Sequence, residues 1–147
     1  IKQYLPKHKN LLISHPLFGP QSAAKGTKNL KLILTNHHGL EAERFISYCE
    51  NKLKLNVIKM TNEEHDRLMA YTHSLTFFVS EALHPFELQK HGVATASFKE
   101  LLGLSNISKN ESRELLDSIH KDNPYSKEVR KTFARQVKKL DDRLDKL

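Results

Sequence analysis

The sequence predicts a mainly α protein: an all-helical domain preceded by a small α/β remnant. Three observations predict it. Short runs rich in Leu and Ile alternate with a helical period over the first sixty residues. Residues 61–82 contain neither glycine nor proline. Beyond them, each periodic segment carries its own helix start or stop signal. The expected division is residues 1–60, α/β, and residues 61–147, helical.

Residues 11–14 (LLIS), 30–36 (LKLILTN) and 55–60 (LNVIKM) read as strands. Between them, Ala42, Phe45, Ile46, Cys49 and Leu53 recur at a helical period over residues 40–53. Strands alternating with a helix suggest part of a parallel sheet with crossover connections. Thr61-Asn62-Glu63-Glu64 is a capping-box signature: the Thr61 hydroxyl serves the amide near Glu64, and Glu64 reaches back. One long helix is expected over residues 61–82, ended or kinked at His84-Pro85. A shorter helix is expected over 95–104, another over 108–122 stopped by Asn123-Pro124, and a last one from about Ser126. Val129, Phe133, Leu140, Leu144 and Leu147 fall along one side of that last helix.

Composition narrows the class of partner. With 147 residues, 38% hydrophobic and 28% charged, the chain is ordinary for a globular protein. No apolar run approaches the roughly 20 residues that cross a bilayer. Residues 1–6 (IKQYLP) do not form a secretory signal. Cys49 stands alone, which excludes an intramolecular disulfide and a cysteine metal site and fits a reducing cytoplasm. The net charge of +7 raises a nucleic-acid partner as a hypothesis. The basic residues are interleaved with acids, and Asp141, Asp142 and Asp145 break the most basic stretch, so a solvated helix face is expected there and no nucleic acid.

Within residues 61–82, Asp66, Met69, His73, Thr76 and Ser80 fall at three- and four-residue steps, hence on one face. Leu68, Tyr71, Thr72, Leu75, Phe78, Val79 and Leu83 make a broad apolar face beside it. The polar stripe either lines a polar pocket or is the solvent side of a surface helix. The apolar side is too hydrophobic for a monomer surface, so it is expected to bury against a twin.

The nine histidines do not have metal spacing. His37 and His38 are adjacent and diverge, and His65 and His73 are eight apart rather than three or four. No metal is expected. There is no Gly-x-Ser-x-Gly elbow, and no two of the five glycines have the spacing of a dinucleotide fingerprint. His15 is the most suggestive histidine. In ISHPLFGP (residues 13–20) it follows an apolar strand and precedes a forced turn, where ligands of α/β domains sit. Its imidazole can accept a proton from a substrate hydroxyl, or it can cap a turn or bond a backbone carbonyl.

Three stretches resemble one family. HPLFGP (15–20) is similar to the His-Pro-Met-Phe-Gly-Pro motif of prephenate dehydrogenases. EEHDRLMAYTHSLTFFVSEAL (63–83) looks like the opening of that family's helical dimerisation domain, and NPYSKEVRKTFARQVKKLDDRL (123–144) resembles its closing helix. The resemblance implies that residues 1–60 are the C-terminal remnant of a dinucleotide-binding, Rossmann-type domain. It makes residues 61–147 the dimerisation and substrate domain. It implies NAD or NADP as cofactor, prephenate or arogenate as substrate, and a homodimer. His15 matches the catalytic histidine that bonds the substrate ring hydroxyl. His73 and Thr76 match substrate-binding positions. Thr76 departs from an arginine that some members use for a substrate carboxylate, and a threonine does not supply that charge. The charge then comes from elsewhere, with Lys99, Arg130 or a second subunit as candidates. Asn36 stands where a proline commonly follows the strand threonine, and SFKELLGLSN (97–106) lacks an arginine-bearing motif. Lacking the glycine fingerprint, the chain is expected to be an inactive portion of such an enzyme. The rival is a non-enzymatic helical dimerisation or regulatory module.

Overall fold

The computed structural model describes residues 11–147, so the reading of residues 1–6 lies outside them. The chain divides into two compact units, one through His65 and one from Asp66. Among the described residues, no helix is long and apolar enough to cross a membrane.

The first unit carries β1 (Leu11–Pro16), the single-turn α1 (Pro20–Ala23), β2 (Lys31–His38), α2 (Leu40–Asn51) and β3 (Asn56–Lys59). The sheet order is β1-β2-β3. β2 and β3 pair in parallel, as expected, but β1 and β2 pair antiparallel. The linkers explain the difference. A parallel crossover needs a dozen or more residues, usually a helix packed on the sheet. The twelve-residue α2 supplies that helix between β2 and β3, whereas residues 17–30 between β1 and β2, though long enough, form only the four-residue α1. Gly39 starts α2 at φ 93°, a conformation that a side chain disfavours. One face of α2 then buries Ala42, Ile46 and Cys49. Leu32 and Leu34 of β2 meet Ile46, Cys49 and Leu55 in the core of this unit. Burial pushes the Cys49 thiol upward, which keeps it protonated and inert.

The helical run opens with α3 (Asn62–Met69), which crosses the division between the units. The capping box forms as expected: the Glu64 amide donates to Thr61 Oγ1 at 3.1 Å, and the Thr61 amide to Glu64 Oε2 at 2.8 Å. The expected single α-helix is interrupted. Ala70–Leu75 is π-helical, followed by α4 (Thr76–Leu83) and a 3₁₀ turn, His84–Phe86, that ends with Glu87 at φ 47°. A π segment holds extra residue per turn, so faces drawn with a uniform α period rotate past it. Past the segment Ser80 of the polar stripe is buried; within it Tyr71 of the apolar side is 62% exposed; and already ahead of it Met69 is buried and Leu68 is 49% exposed.

The remaining helices are α5 (Ala96–Ser105), α6 (Arg113–Lys121) and α7 (Ser126–Leu144). Thr95 and Ser112 cap α5 and α6 by accepting from the amides of Phe98 and Leu115. The unit buries hydroxyls by pairing them. Ser80 Oγ lies 2.8 Å from Ser108 Oγ and accepts from the Ser108 amide, and Ser108 Oγ reaches His84 Nε2 at 3.0 Å. Ser74 Oγ sits 2.9 Å from His120 Nδ1. Burial and the neighbouring Arg130 charge hold His120 below its ordinary 6.5, while Glu81 and Asp117 act the other way.

Two outcomes follow from this packing. Leu34→Ala opens a cavity in the first unit's core and should lower unfolding free energy by about 3 kcal/mol in denaturant titration. Because His120 has a lowered pKa in the fold, the unfolded chain takes up its proton first as pH falls through 6.5. Stability of the helical unit therefore drops on acidification through that window, measurable as a lower thermal midpoint at about pH 5.5 than at about pH 7.5. His120→Gln should shrink that difference.

Candidate functional site

The first unit brings two histidines together. His15 lies on β1 opposite Ile33 of β2. Between Ile13 and Ser14 the pairing jumps from Asn36 to Leu34, so Thr35 is an extra residue on β2. Such a bulge twists the ladder locally and re-aims the side chains beside it. His65 comes from the first turn of α3, whose start is fixed by the Thr61 capping box. The Met60 amide donates to Leu34 O at 3.0 Å, which ties the approach to α3 to the same strand. His15 Nδ1 and His65 Nε2 end up 2.9 Å apart, with the rings edge to face at 5.2 Å between centroids.

Two imidazole nitrogens at that distance hold one hydrogen between them. Where His15 Nδ1 donates, its Nε2 carries a lone pair and is a base. Where His65 donates, His15 Nε2 carries the proton. The pair therefore couples the tautomer of one ring to that of the other. This bears on the open reading of His15: it bonds a second imidazole and does not merely cap a turn. His65 is the partner that sequence spacing missed, because it was weighed against His73 as a metal pair. The signal available was its place just after the capping box.

His73 and Thr76 belong to the second unit. His73 is half-buried in the π-helical segment, with its ring edge-on to Phe77 at 5.9 Å. Thr76 opens α4, half-buried, and its amide donates to His73 O. π segments are frequent where a helix carries functional side chains. Arg130 of α7 is half-buried beside Phe78, and residue 78 leaves α4 on the side away from Thr76. The one acidic cluster with metal-ligand proximity among the described residues is Asp141, Asp142 and Asp145, all exposed on or next to the end of α7. Lys138 pairs with two of them.

The fold is similar to that of a solved prephenate dehydrogenase. The prephenate dehydrogenase of A. aeolicus, solved with hydroxyphenyl propionate and NAD+, matches with a TM-score of 0.57 over 81% of this chain and 44% of that one, at 16% identity. The sequence is similar to arogenate dehydrogenase 2, chloroplastic, of Arabidopsis thaliana, 25% identical over 132 residues, and to arogenate dehydrogenase 1, chloroplastic, of the same plant, 27% identical over 135. These alignments take in 86% of this chain but 37% and 21% of the two plant enzymes. No family model matches the chain.

The shared hydrogen is directly observable. Long-range ¹⁵N–¹H correlation spectra should show a slowly exchanging imidazole N–H assigned to the His15–His65 pair. His65→Ala should abolish it without shifting the core amides of Leu32 and Leu34.

Proposed function

We propose that the chain is a portion of an NAD(P)-dependent prephenate or arogenate dehydrogenase, with His15 as the catalytic histidine. The observation that carries the proposal is the His15–His65 pair, whose His15 opens the HPLFGP stretch that resembles the family's His-Pro-Met-Phe-Gly-Pro motif. The similarity to arogenate dehydrogenases supports it from outside the site.

The chemistry follows from the pair. The substrate is a ring alcohol whose carbinol carbon loses hydride as its ring carboxylate leaves as CO2. A nicotinamide held by residues of the longer enzyme would supply the hydride acceptor. As the hydride departs, the ring hydroxyl acquires carbonyl character and becomes acidic. His65 Nε2 accepts from His15 Nδ1–H, which leaves His15 Nε2 as the base that holds the hydroxyl proton. Prephenate gives 4-hydroxyphenylpyruvate by this route, and arogenate gives tyrosine. His73 and Thr76 are assigned to substrate binding, Thr76 through a hydroxyl hydrogen bond and not through charge.

The five glycines provide no phosphate-cradling spacing, so the residues here do not fit the cofactor's pyrophosphate. That, and the 37% and 21% shares of the plant enzymes covered, support a portion that is inactive by itself. Exposed Leu68 and Tyr71, with Val137, Leu140 and Leu144 along α7, support a homodimer through the helical unit. The lone buried Cys49 fits a reducing compartment, cytoplasm in the simplest case.

In the longer enzyme that carries this chain, His15→Asn should lower kcat by about 10²- to 10⁴-fold with little change in KM. An unchanged kcat would remove His15 from the chemistry. Dehydrogenase turnover by the 147 residues alone would overturn the inactive-portion reading. A dimer in sedimentation that shows no effect of prephenate or arogenate would favour the non-enzymatic module.

A further inference from the structure

Within the helical unit, α4, α6 and α7 line an open groove of about 460 Å³. Its walls are unlike each other. Phe78 and Ala82 of α4 give an apolar side. Phe78 is fixed there by edge-to-face contacts with Phe133 and His120, each at 6.3 Å. The charged side holds Glu81, Asp117, Arg113 and Arg130.

The charges do not cancel pairwise. Arg113 reaches both acids at once, Glu81 Oε2 at 2.9 Å and Asp117 Oδ1 at 2.9 Å. Glu81 also lies 3.5 Å from His120 Nε2 through its other oxygen. Arg130 is half-buried, and its one bond among the described residues runs to the neutral carbonyl of His120 at 3.3 Å. A guanidinium partly withdrawn from water, with donors to spare and no carboxylate ion pair among the described residues, calls for an anion. Its planar fork matches a carboxylate in bidentate fashion. The two acids in the same groove disfavour a dianion such as phosphate, and the Phe78 wall favours a ligand with an apolar body.

We propose that this groove is a binding site for a small aryl monocarboxylate, with Arg130 taking the carboxylate and Phe78 and Ala82 the ring. Of the residues in the dehydrogenase reading the site uses Arg130, a candidate there for the substrate-carboxylate charge, and not His15, His73 or Thr76. It has a built-in reporter. The Arg130 charge helps hold the His120 pKa down, so an anion seated on Arg130 cancels that push and raises it.

The test is a titration of the 147-residue chain with benzoate, followed by ¹⁵N–¹H correlation spectra and the His120 imidazole signals. Benzamide serves as the neutral isostere, and inorganic phosphate as the dianion. Benzoate should give saturable shifts around Phe78, Arg113 and Arg130 with a midpoint on the order of 1 mM, and the His120 titration should move to higher pH. Benzamide and phosphate should do neither. Arg130→Gln should weaken benzoate about tenfold or more, and His15→Asn should leave it unchanged. The proposal is overturned by absence of saturable shifts, by equal shifts from benzamide or phosphate, by benzoate shifts that survive Arg130→Gln, or by their loss in His15→Asn. Should Arg130→Gln not fold, the benzoate–benzamide comparison on the unaltered chain decides alone.

Discussion

The central strand β2 is the constraint on which the first unit depends. Among the described residues it is the one strand with a partner on both sides, antiparallel β1 and parallel β3. Its alternate side chains Leu32 and Leu34 fill the core against α2, while Ile33 on its other face is 2% exposed. Both histidines of the candidate site are positioned from it. The extra residue at Thr35 sets the register in which His15 faces Ile33, and Leu34 O takes the Met60 amide just before the capping box that starts α3. A shift of β2 by one residue would exchange its buried and opposite faces. It would also carry His15 away from His65.

The helical unit is held differently. Its most deeply buried side chains include five serines, Ser74, Ser80, Ser105, Ser108 and Ser126. Small hydroxyls let helices approach closely, but each must find a partner, since a buried unpaired hydroxyl costs about 1–3 kcal/mol. The pairs that form join distant segments: Ser80 of α4 with Ser108 in the connection between α5 and α6, and Ser74 with His120 of α6. Such pairs make the packing specific, because sliding a helix by a turn would leave both hydroxyls unsatisfied. The same chain of contacts places His120 beside Arg130 and Glu81, where burial and charge set its protonation.

Local signals in the sequence were legible where one residue's chemistry suffices. The Thr61-Asn62-Glu63-Glu64 box fixed a helix start because its bonds span only three residues. Ala42, Ile46 and Cys49 marked the inner face of α2, since a continuous α-helix repeats its period without outside help. The middle of the long helix was not legible in that way. Nothing in Ala70-Tyr71-Thr72-His73-Ser74-Leu75 announces a π segment, and the uniform period misplaced the residues around it: Ser80 is buried and Tyr71 is exposed. His65 escaped for another reason. Its partner lies fifty residues earlier, and no spacing rule reaches that far.

The sequence by itself determined the mainly α class, the α/β start, the helix caps, and His15 as the residue worth following. These depend on short-range bonding and on the period of apolar residues, both written in consecutive positions. Only the tertiary structure decided that β1 runs antiparallel, that His15 meets an imidazole through Nδ1, and that Arg130 shares a groove with Phe78 and His120. Each of those turns on which distant segments share a strand ladder or a helix contact. That is set by the packing of whole elements, and no local pattern encodes it.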